Sequence, residues 1–164
     1  QTASLNTMFE SIKQLSQMAE EVQQIIDGIV KKIVMDNDMK NRINKGIRLI
    51  EELATHPSVK EMKEFEFDNL VETYYKKYEI FDVLGIIDTK GDTKKIISQG
   101  QIVQKQLNFS FRPFFKQAMK GVSVASEPYI SVYTNTYCVT IASPIKDSTE
   151  NIIGLTLGNI PLEE

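Results

Sequence analysis

The fold of this chain is decided by residues 112–160, which read RPFFKQAMKGVSVASEPYISVYTNTYCVTIASPIKDSTENIIGLTLGNI. A short helix is predicted from Arg112 to residue 120, and Gly121 ends it. Three strands are predicted next, over residues 124–133, 136–146 and 151–160. The turns between them are short enough for hairpins. The segment therefore predicts a small antiparallel sheet with one fixed cation, Arg112, beside it.

Two further strands are predicted on the amino-terminal side of this segment. Residues 80–88 form a short apolar, β-branched run, and the turn over residues 88–92 allows Gly91 to take a positive φ. Residues 94–98 are predicted to be the hairpin partner, and residues 100–110 a loop. Because helices precede this five-stranded antiparallel sheet, the predicted fold is α+β, with long amino-terminal helices packed on the sheet.

The first third of the chain has the apolar spacing of a helix. Apolar residues recur at intervals of three and four over about four heptads, at Leu5, Met8, Ile12, Leu15, Ala19, Val22, Ile26, Ile29 and Ile33. Such a stripe faces either a partner helix or the domain's own body. Polar residues 36–38 interrupt the stripe, and the helical spacing resumes at Ile43. The interruption could be a kink, a tight turn or a polar gap in one long helix. Pro57 ends this helical segment, and a second helix is predicted to about residue 77.

Composition excludes several function classes. At 164 residues, 41% hydrophobic and 25% charged, the chain is typical of a globular protein, and its net charge of −3 argues against nucleic-acid binding. A basic stretch within residues 31–48 is interpreted as a solvated helix face. No apolar run is long enough to span a membrane, yet the chain begins at Gln1 rather than Met, so we expect an excised piece with flanking transmembrane helices.

No pattern of catalytic or metal-binding residues stands out, so neither an enzyme nor a cofactor is expected. Cys138, the only cysteine, is expected to be a buried, inert thiol within a strand, and it excludes an intrachain disulfide. His56, the only histidine, precedes a proline at a helix end, where a surface or capping role is expected. Carboxylates are many but scattered, and the chain has no nucleophile elbow and no glycine-rich phosphate loop.

Four features in this order resemble the Cache family, the PAS-like extracytoplasmic sensor domains of bacterial and archaeal receptors. They are the long amphipathic helix, the strand-turn Ile-Asp-Thr-Lys-Gly-Asp at residues 87–92, the Arg-Pro-Phe-Phe helix start with Ala118 and Gly121, and the strands with Pro-Tyr, Ala-Ser-Pro-Ile-Lys-Asp and Ile-Ile-Gly. The match covers nearly the whole chain. Because only one sensory module fits after residue 79, the chain is similar to a single-module Cache domain.

The resemblance implies a role in signal transduction. The chain would be the periplasmic or extracellular input domain of a transmembrane chemoreceptor, histidine kinase or cyclic-dinucleotide enzyme in the cell membrane, with its output domain outside this sequence. Its two parts would be an amino-terminal helical segment, residues 1–57, and a PAS-like ligand-binding module, residues 58–164. The apolar stripe of the first helix then predicts a homodimer.

The residues around Arg112 predict a binding site for a small anion. A guanidinium matches a carboxylate with two parallel hydrogen bonds, and the first N–H groups of the following helix have no intrahelical partner. Nearby residues add an apolar wall, three hydroxyl groups that alternate along one predicted strand and so share one face, and an amide. These predicted site residues are Phe114, Phe115, Tyr129, Ser131, Tyr133 and Asn159.

A resemblance to the amino-acid-binding branch of the family implies what this site takes. That branch has an arginine, two aromatic residues, a strand tyrosine and two aspartates that hold the ammonium group of the ligand. Arg112 and Tyr129 match, whereas Ser131 and Asn159 stand in place of the aspartates. Because an unpaired buried ammonium is costly, an α-amino acid is disfavoured, and a small carboxylate without an amine, such as acetate, propionate, lactate or pyruvate, is expected.

Other interpretations stay open. The same fold could sense an amino acid, or a neutral urea-like ligand held by Asn159 and the hydroxyl groups. The chain could instead be a dimerisation or interaction module that binds no small molecule, in which case Arg112→Ala would change no ligand response. A cytosolic PAS-type cofactor sensor is a third class, although His56 is badly placed to be the axial ligand of a haem.

Overall fold

A computed structural model of the chain describes residues 2–162, without the side chains of residue 2 and of residues 31–35. Ile33, the last member of the predicted apolar stripe, therefore lies outside the described side chains.

The described residues contain helices α1 (Thr2–Ala54), α2 (Pro57–Lys60), α3 (Phe67–Lys77) and α4 (Pro113–Ala118), with a 3₁₀ turn at Glu64–Glu66. They contain strands β1 (Val83–Asp88), β2 (Thr93–Ser98), β3 (Gln101–Ile102), β4 (Val124–Ala125), β5 (Tyr129–Ile130), β6 (Tyr137–Lys146) and β7 (Ile152–Pro161). All pairings are antiparallel, in the order β3–β2–β1–β7–β6–β4, and β5 also pairs with β6. The predicted α+β fold, with helices packed on an antiparallel sheet, is confirmed.

The sheet has seven strands rather than the predicted five because one short pairing was not predicted and one predicted strand is split. Residues 101–102 pair with β2 inside the predicted loop. The strand predicted over residues 124–133 is divided into β4 and β5. Between them, Pro128 has no N–H to donate to a ladder, and the Ser126 hydroxyl accepts the N–H of Thr140. The long strands β6 and β7 lie within one residue of their predicted bounds.

The first helix is continuous from Thr2 to Ala54, so polar residues 36–38 are a gap in one helix rather than a tight turn. Contacts within the chain separate two units, residues 1–40 and residues 41–164. Eleven large apolar side chains of the first unit are between 47% and 68% exposed, whereas Met39 near its end is partly buried. The eleven are Leu5, Met8, Phe9, Ile12, Leu15, Met18, Val22, Ile25, Ile26, Ile29 and Val30. The predicted stripe therefore lies at the surface of this helix.

In the second unit, the carboxyl-terminal part of α1 packs on the back face of the sheet. Ile50 and Leu53 are fully buried, and the Thr156 hydroxyl of β7 donates to the carbonyl oxygen of Ile50 at 3.0 Å. The Arg42 guanidinium donates to the carbonyl oxygen of Pro161 at 2.9 Å. Apolar packing and two hydrogen bonds therefore join α1 to the last strand.

The opposite, front face of the sheet carries a second core and α4. Phe114, Phe115 and Ala118 of α4 are buried in a cluster with apolar residues of β1, β6 and β7. Pro113 begins the helix, and Arg112 occupies the N-cap position in an extended conformation, with φ −73° and ψ 138°. The helix start lies within one residue of the prediction, and Arg112 is held at the edge of this core.

The turn before β2 has the predicted glycine geometry. Gly91 has a φ of +87°, and a side-chain oxygen of Asp88 accepts the N–H groups of Lys90 and Asp92. A Cβ atom at Gly91 would lie 2.6 Å from the backbone nitrogen of Ser110. A side chain at this position would therefore displace the loop that leads to α4.

Two residues singled out in the sequence have structural roles. His56 occupies the N-cap position of α2, where its Nδ1 accepts the N–H of Ser58 at 3.1 Å. Cys138 is fully buried. Among the residues that the structure describes, no helix combines the length and the apolar composition needed to cross a bilayer, and no three metal-binding side chains cluster there.

Candidate ligand-binding site

Arg112 is held with its guanidinium against two aromatic rings. Its Cζ atom lies 4.7 Å from the ring centre of Tyr129 and 4.9 Å from that of Phe111. Among the described residues, no carboxylate lies within salt-bridge distance of Arg112, and its Nε atom is buried without a hydrogen-bond partner. The protein therefore positions this cation but leaves its donors available for an anion.

A narrow cavity, called the inner cavity below, lies between α4 and the front face of the sheet. It has a volume of about 10 Å³ and is lined by Phe109, Phe114, Tyr129, Ser131, Val132, Tyr133, Thr140, Leu157 and Asn159. The fold thus brings together five of the predicted site residues, Phe114, Tyr129, Ser131, Tyr133 and Asn159, while Arg112 and Phe115 lie outside this lining. With this small volume, the inner cavity is almost filled by protein. None of its lining side chains is charged, so it offers no carboxylate to an ammonium group.

A chain of hydrogen bonds uses the polar groups of the inner cavity. Thr140 Oγ1 donates to Asn159 Oδ1 at 2.7 Å, so the Tyr129 hydroxyl, 2.5 Å from Thr140 Oγ1, donates to Thr140. Asn159 Nδ2 donates to Ser131 Oγ at 3.3 Å, and Ser131 Oγ also accepts the N–H of Tyr133 at 3.1 Å. Ser131 and Asn159 are therefore bonded to each other and to neighbouring protein groups.

Burial raises the pKa of the phenol and thiol groups near the inner cavity. Desolvation raises the pKa of Tyr129 to about 12, and it raises the pKa of Tyr133 as well. It also raises the pKa of the Cys138 thiol. The Tyr133 hydroxyl is buried without a partner. At neutral pH the two phenols therefore act as hydrogen-bonding groups and not as acids or bases.

Two open depressions adjoin Arg112. The first, called the α4 pocket, has a volume of about 330 Å³ and is lined by Arg112, Pro113, Phe114, Gln117, Ala125, Ser126, Glu127, Pro128 and Tyr129. The second, called the apolar groove, has a volume of about 570 Å³ and is lined by Ser98, Val103, Lys105, Leu107, Asn108, Phe109, Phe111, Arg112, Val132 and Tyr133. Because Arg112 lines both, a ligand bound to its guanidinium can extend in either direction.

Phe115, the second predicted aromatic wall, lies in the core. It is 7% exposed and belongs to the front-face cluster with Ala118 and Leu155. It lines neither the inner cavity, the α4 pocket nor the apolar groove. Consecutive residues of a helix point about 100° apart, so Phe114 faces the inner cavity while Phe115 faces the core.

The inner cavity is lined by Tyr129, Ser131 and Tyr133, but these three residues do not share one strand face as predicted. Only Tyr129 lies in β5, whereas Ser131 and Tyr133 lie in the turn that follows. The N–H of Ser131 donates to the carbonyl oxygen of Thr136 at 2.9 Å, and Asn135 has a φ of +57°. The turn, rather than strand alternation, therefore directs the last two side chains inward.

Sequence analysis missed several residues around the site. Thr140 carries one local signal, because it is a polar residue within the apolar part of β6. Phe109 and Glu127 carry none, since each lies in a loop. Only the fold brings them to the inner cavity and the α4 pocket.

Comparison with known proteins places this fold among sensor domains. A family model described as methyl-accepting chemotaxis protein-like, first PDC sensor domain, matches residues 53–164. No curated protein sequence matches the chain.

Solved structures of bacterial sensor domains share the fold. A domain of a sensory box/GGDEF family protein from Vibrio parahaemolyticus superposes with a TM-score of 0.67 at 14% identity, over 84% of this chain and 60% of that one. The sensory domain of the Campylobacter jejuni chemoreceptor Tlp3 with isoleucine bound superposes with a TM-score of 0.61 at 16% identity, over 78% of this chain and 54% of that one. The ligand-binding domain of the Pseudomonas fluorescens chemoreceptor CtaA in complex with L-serine superposes with a TM-score of 0.57 at 19% identity, over 85% of this chain and 60% of that one. This chain spans 54% to 60% of the length of these three chains.

Proposed function

This chain belongs to the family of methyl-accepting chemotaxis protein-like first PDC sensor domains, and we propose that it is the extracytoplasmic input domain of a transmembrane receptor that binds a small organic carboxylate without an amine. Membership of a sensor family supports a binding role rather than catalysis.

The observation that carries the proposal is the environment of Arg112. Two aromatic rings hold its guanidinium, and among the described residues no carboxylate neutralises it. Its buried Nε lacks a partner. A charge-assisted hydrogen bond from a carboxylate contributes roughly 1.5–3 kcal/mol, so an organic acid gains most by binding here.

The inner cavity supports a ligand without an amine. An ammonium group bound there would lose its water and would meet no carboxylate among the lining side chains, which is costly. Ser131 Oγ already accepts from Asn159 Nδ2 and from the N–H of Tyr133, so it would have to lose one of these bonds to accept from an ammonium group. An acid that carries hydrogen in place of the amine avoids both costs.

Thermal unfolding with matched ligand pairs tests this function. Propionate differs from alanine, and 3-methylbutanoate from valine, by the absence of the amine. We expect the amine-free member of each pair to raise the midpoint of unfolding by roughly 5–10 °C at about 100 times its Kd. Stabilisation by the amino acids alone would contradict the amine-free class. Stabilisation by acetamide alone would favour a neutral, urea-like ligand. If no compound stabilises the protein, a module without a small-molecule ligand is favoured.

An amino-acid sensor is the second candidate, and Glu127 is the observation that favours it. Its carboxylate lines the α4 pocket together with Arg112, so this pocket contains both charges that a zwitterion needs. The similar chemoreceptor domains hold isoleucine and L-serine. If the amino acids rather than the acids stabilise the protein, their effect should disappear in Glu127→Gln.

We also propose that the chain consists of a helical segment, residues 1–57, and a ligand-binding module, residues 58–164. The helical segment would form the interface of a homodimer. The apolar stripe of α1 lies at its surface in the first unit, and covering such side chains is favourable by about 25 cal/mol per Å². The stripe repeats at the a and d spacing of a helix that pairs with another helix.

Sedimentation velocity over a concentration series tests the dimer. Ile12→Asp places a charge in the stripe, where a partner helix would have to desolvate it, so we expect the dimer dissociation constant to rise about tenfold or more. Gln14→Asp adds the same charge to the same helix outside the stripe and should leave association unchanged. A wild-type chain that stays monomeric at high concentration would argue against this interface.

A further inference from the structure

The inner cavity cannot hold the body of a ligand bound to Arg112. Its volume of about 10 Å³ is close to the space that a single water molecule needs. The carbon chain of a bound acid therefore extends from Arg112 into the α4 pocket or into the apolar groove.

The charges of these two depressions differ. The acidic residue Glu127 lines the α4 pocket, and its negative charge repels an acid. The apolar groove is lined by two cations, Lys105 and Arg112, and by no acidic residue. An anion is therefore favoured on the groove side of Arg112.

The walls of the apolar groove are open to solvent. Phe111 is 62% exposed and Val132 is 56% exposed, and Leu107, which also lines the groove, is partly buried. Covering exposed apolar side chains with an apolar group is favourable in proportion to the area removed from water. Because the Phe111 ring also lies 4.9 Å from the Arg112 guanidinium, a group resting on that ring is next to a carboxylate bound there.

We propose that the ligand of this domain is an amphiphilic monocarboxylate, whose carboxylate binds Arg112 and whose apolar chain or ring lies in the apolar groove against Phe111, Leu107 and Val132. This inference rests on the function proposed above, because it requires a carboxylate at Arg112. The positive charge of the groove selects an acid, and its apolar walls select an acid that carries a hydrocarbon group.

Isothermal titration calorimetry of the 164-residue chain with propionate and hexanoate tests the inference. The two acids have the same charge and differ in the length of their apolar chain. We expect hexanoate to bind about tenfold more tightly, because its additional methylene groups are transferred from water to the apolar walls of the groove.

A matched pair of variants locates the chain of the acid. Val132→Asn makes a groove wall polar without adding charge, and we expect the preference for hexanoate to fall about threefold or more. Val122→Asn is the control, because Val122 is 57% exposed and lies outside the groove. It should keep the full preference.

The outcomes separate this inference from the proposed function. Equal affinity for hexanoate and propionate overturns the use of the groove but leaves carboxylate binding at Arg112 intact. A preference for hexanoate that Val132→Asn does not reduce also overturns it. If neither acid binds, the proposed function fails and this inference fails with it.

Discussion

Arg112→Ala is expected to reduce strongly the stabilisation of this domain by amine-free acids while leaving its fold intact. Among the residues that the structure describes, Arg112 is the only basic one that lines both the α4 pocket and the apolar groove. Losing its charge-assisted hydrogen bonds removes roughly 1.5–3 kcal/mol, which weakens binding about 10- to 100-fold. Titration of propionate, followed by calorimetry or by the midpoint of thermal unfolding, measures this loss. The fold should persist because Arg112 forms no salt bridge among the described residues.

Two further variants separate the role of Arg112 from that of charge in general. Lys116→Ala removes the same charge from an exposed position on α4 and should leave affinity unchanged. Arg112→Lys keeps the charge but loses the planar pair of donors, so an intermediate affinity is expected. Unchanged propionate binding by Arg112→Ala would show that the acid binds elsewhere or not at all through this cation.

Gly158→Val is expected to lower the free energy of unfolding by about 3 kcal/mol. Gly158 lies in β7 on the back face, where a Cβ atom would be 2.7 Å from Phe81 and 2.9 Å from Ile50 of α1. Valine would force the helix and the strand apart. Chemical denaturation of the purified chain measures the change, and the midpoint of thermal unfolding should fall by roughly 10 °C.

The control for this prediction is the same substitution at Gly28. A Cβ atom there has nothing within 4 Å, and valine is a somewhat better helix former than glycine. Gly28→Val should therefore leave the free energy of unfolding equal or slightly higher. A Gly158→Val variant as stable as the wild type would mean that α1 does not approach β7 as closely as the structure shows.

Strand β7 connects the candidate site to the first helix. Asn159 faces the inner cavity and bonds to Thr140 and Ser131, whereas its neighbour Gly158 contacts α1 on the opposite face. Thr156 also bonds to α1 through the carbonyl oxygen of Ile50. A displacement of β7 at the site would therefore be transmitted to α1.

Much of the fold could be predicted because its signals are local. The long strands β6 and β7, the turn with Gly91 and the helix beginning at Pro113 all depend on neighbouring residues in the sequence. The short strands were less predictable. In residues 124–133, Pro128 and the hydroxyl of Ser126 interrupt a stretch that otherwise has the composition of a strand.

The candidate site could be predicted in part. Arg112, Phe114 and Tyr129 follow local rules of a helix start and a strand, and the structure brings them together around the α4 pocket. Ser131 and Tyr133 reach the inner cavity through a turn, which alternation along a strand does not describe.

By itself, the sequence determined the order of the long strands, the α+β fold and the position of a single arginine at the start of α4. Only the tertiary structure decided that the inner cavity is almost filled by protein, that Phe115 lies in the core and that an apolar groove opens beside Arg112. The physical reason is the separation of the partners along the chain. Asn159 meets Thr140 and Ser131 across 19 and 28 residues, and no local pattern specifies which polar groups will pair over such distances.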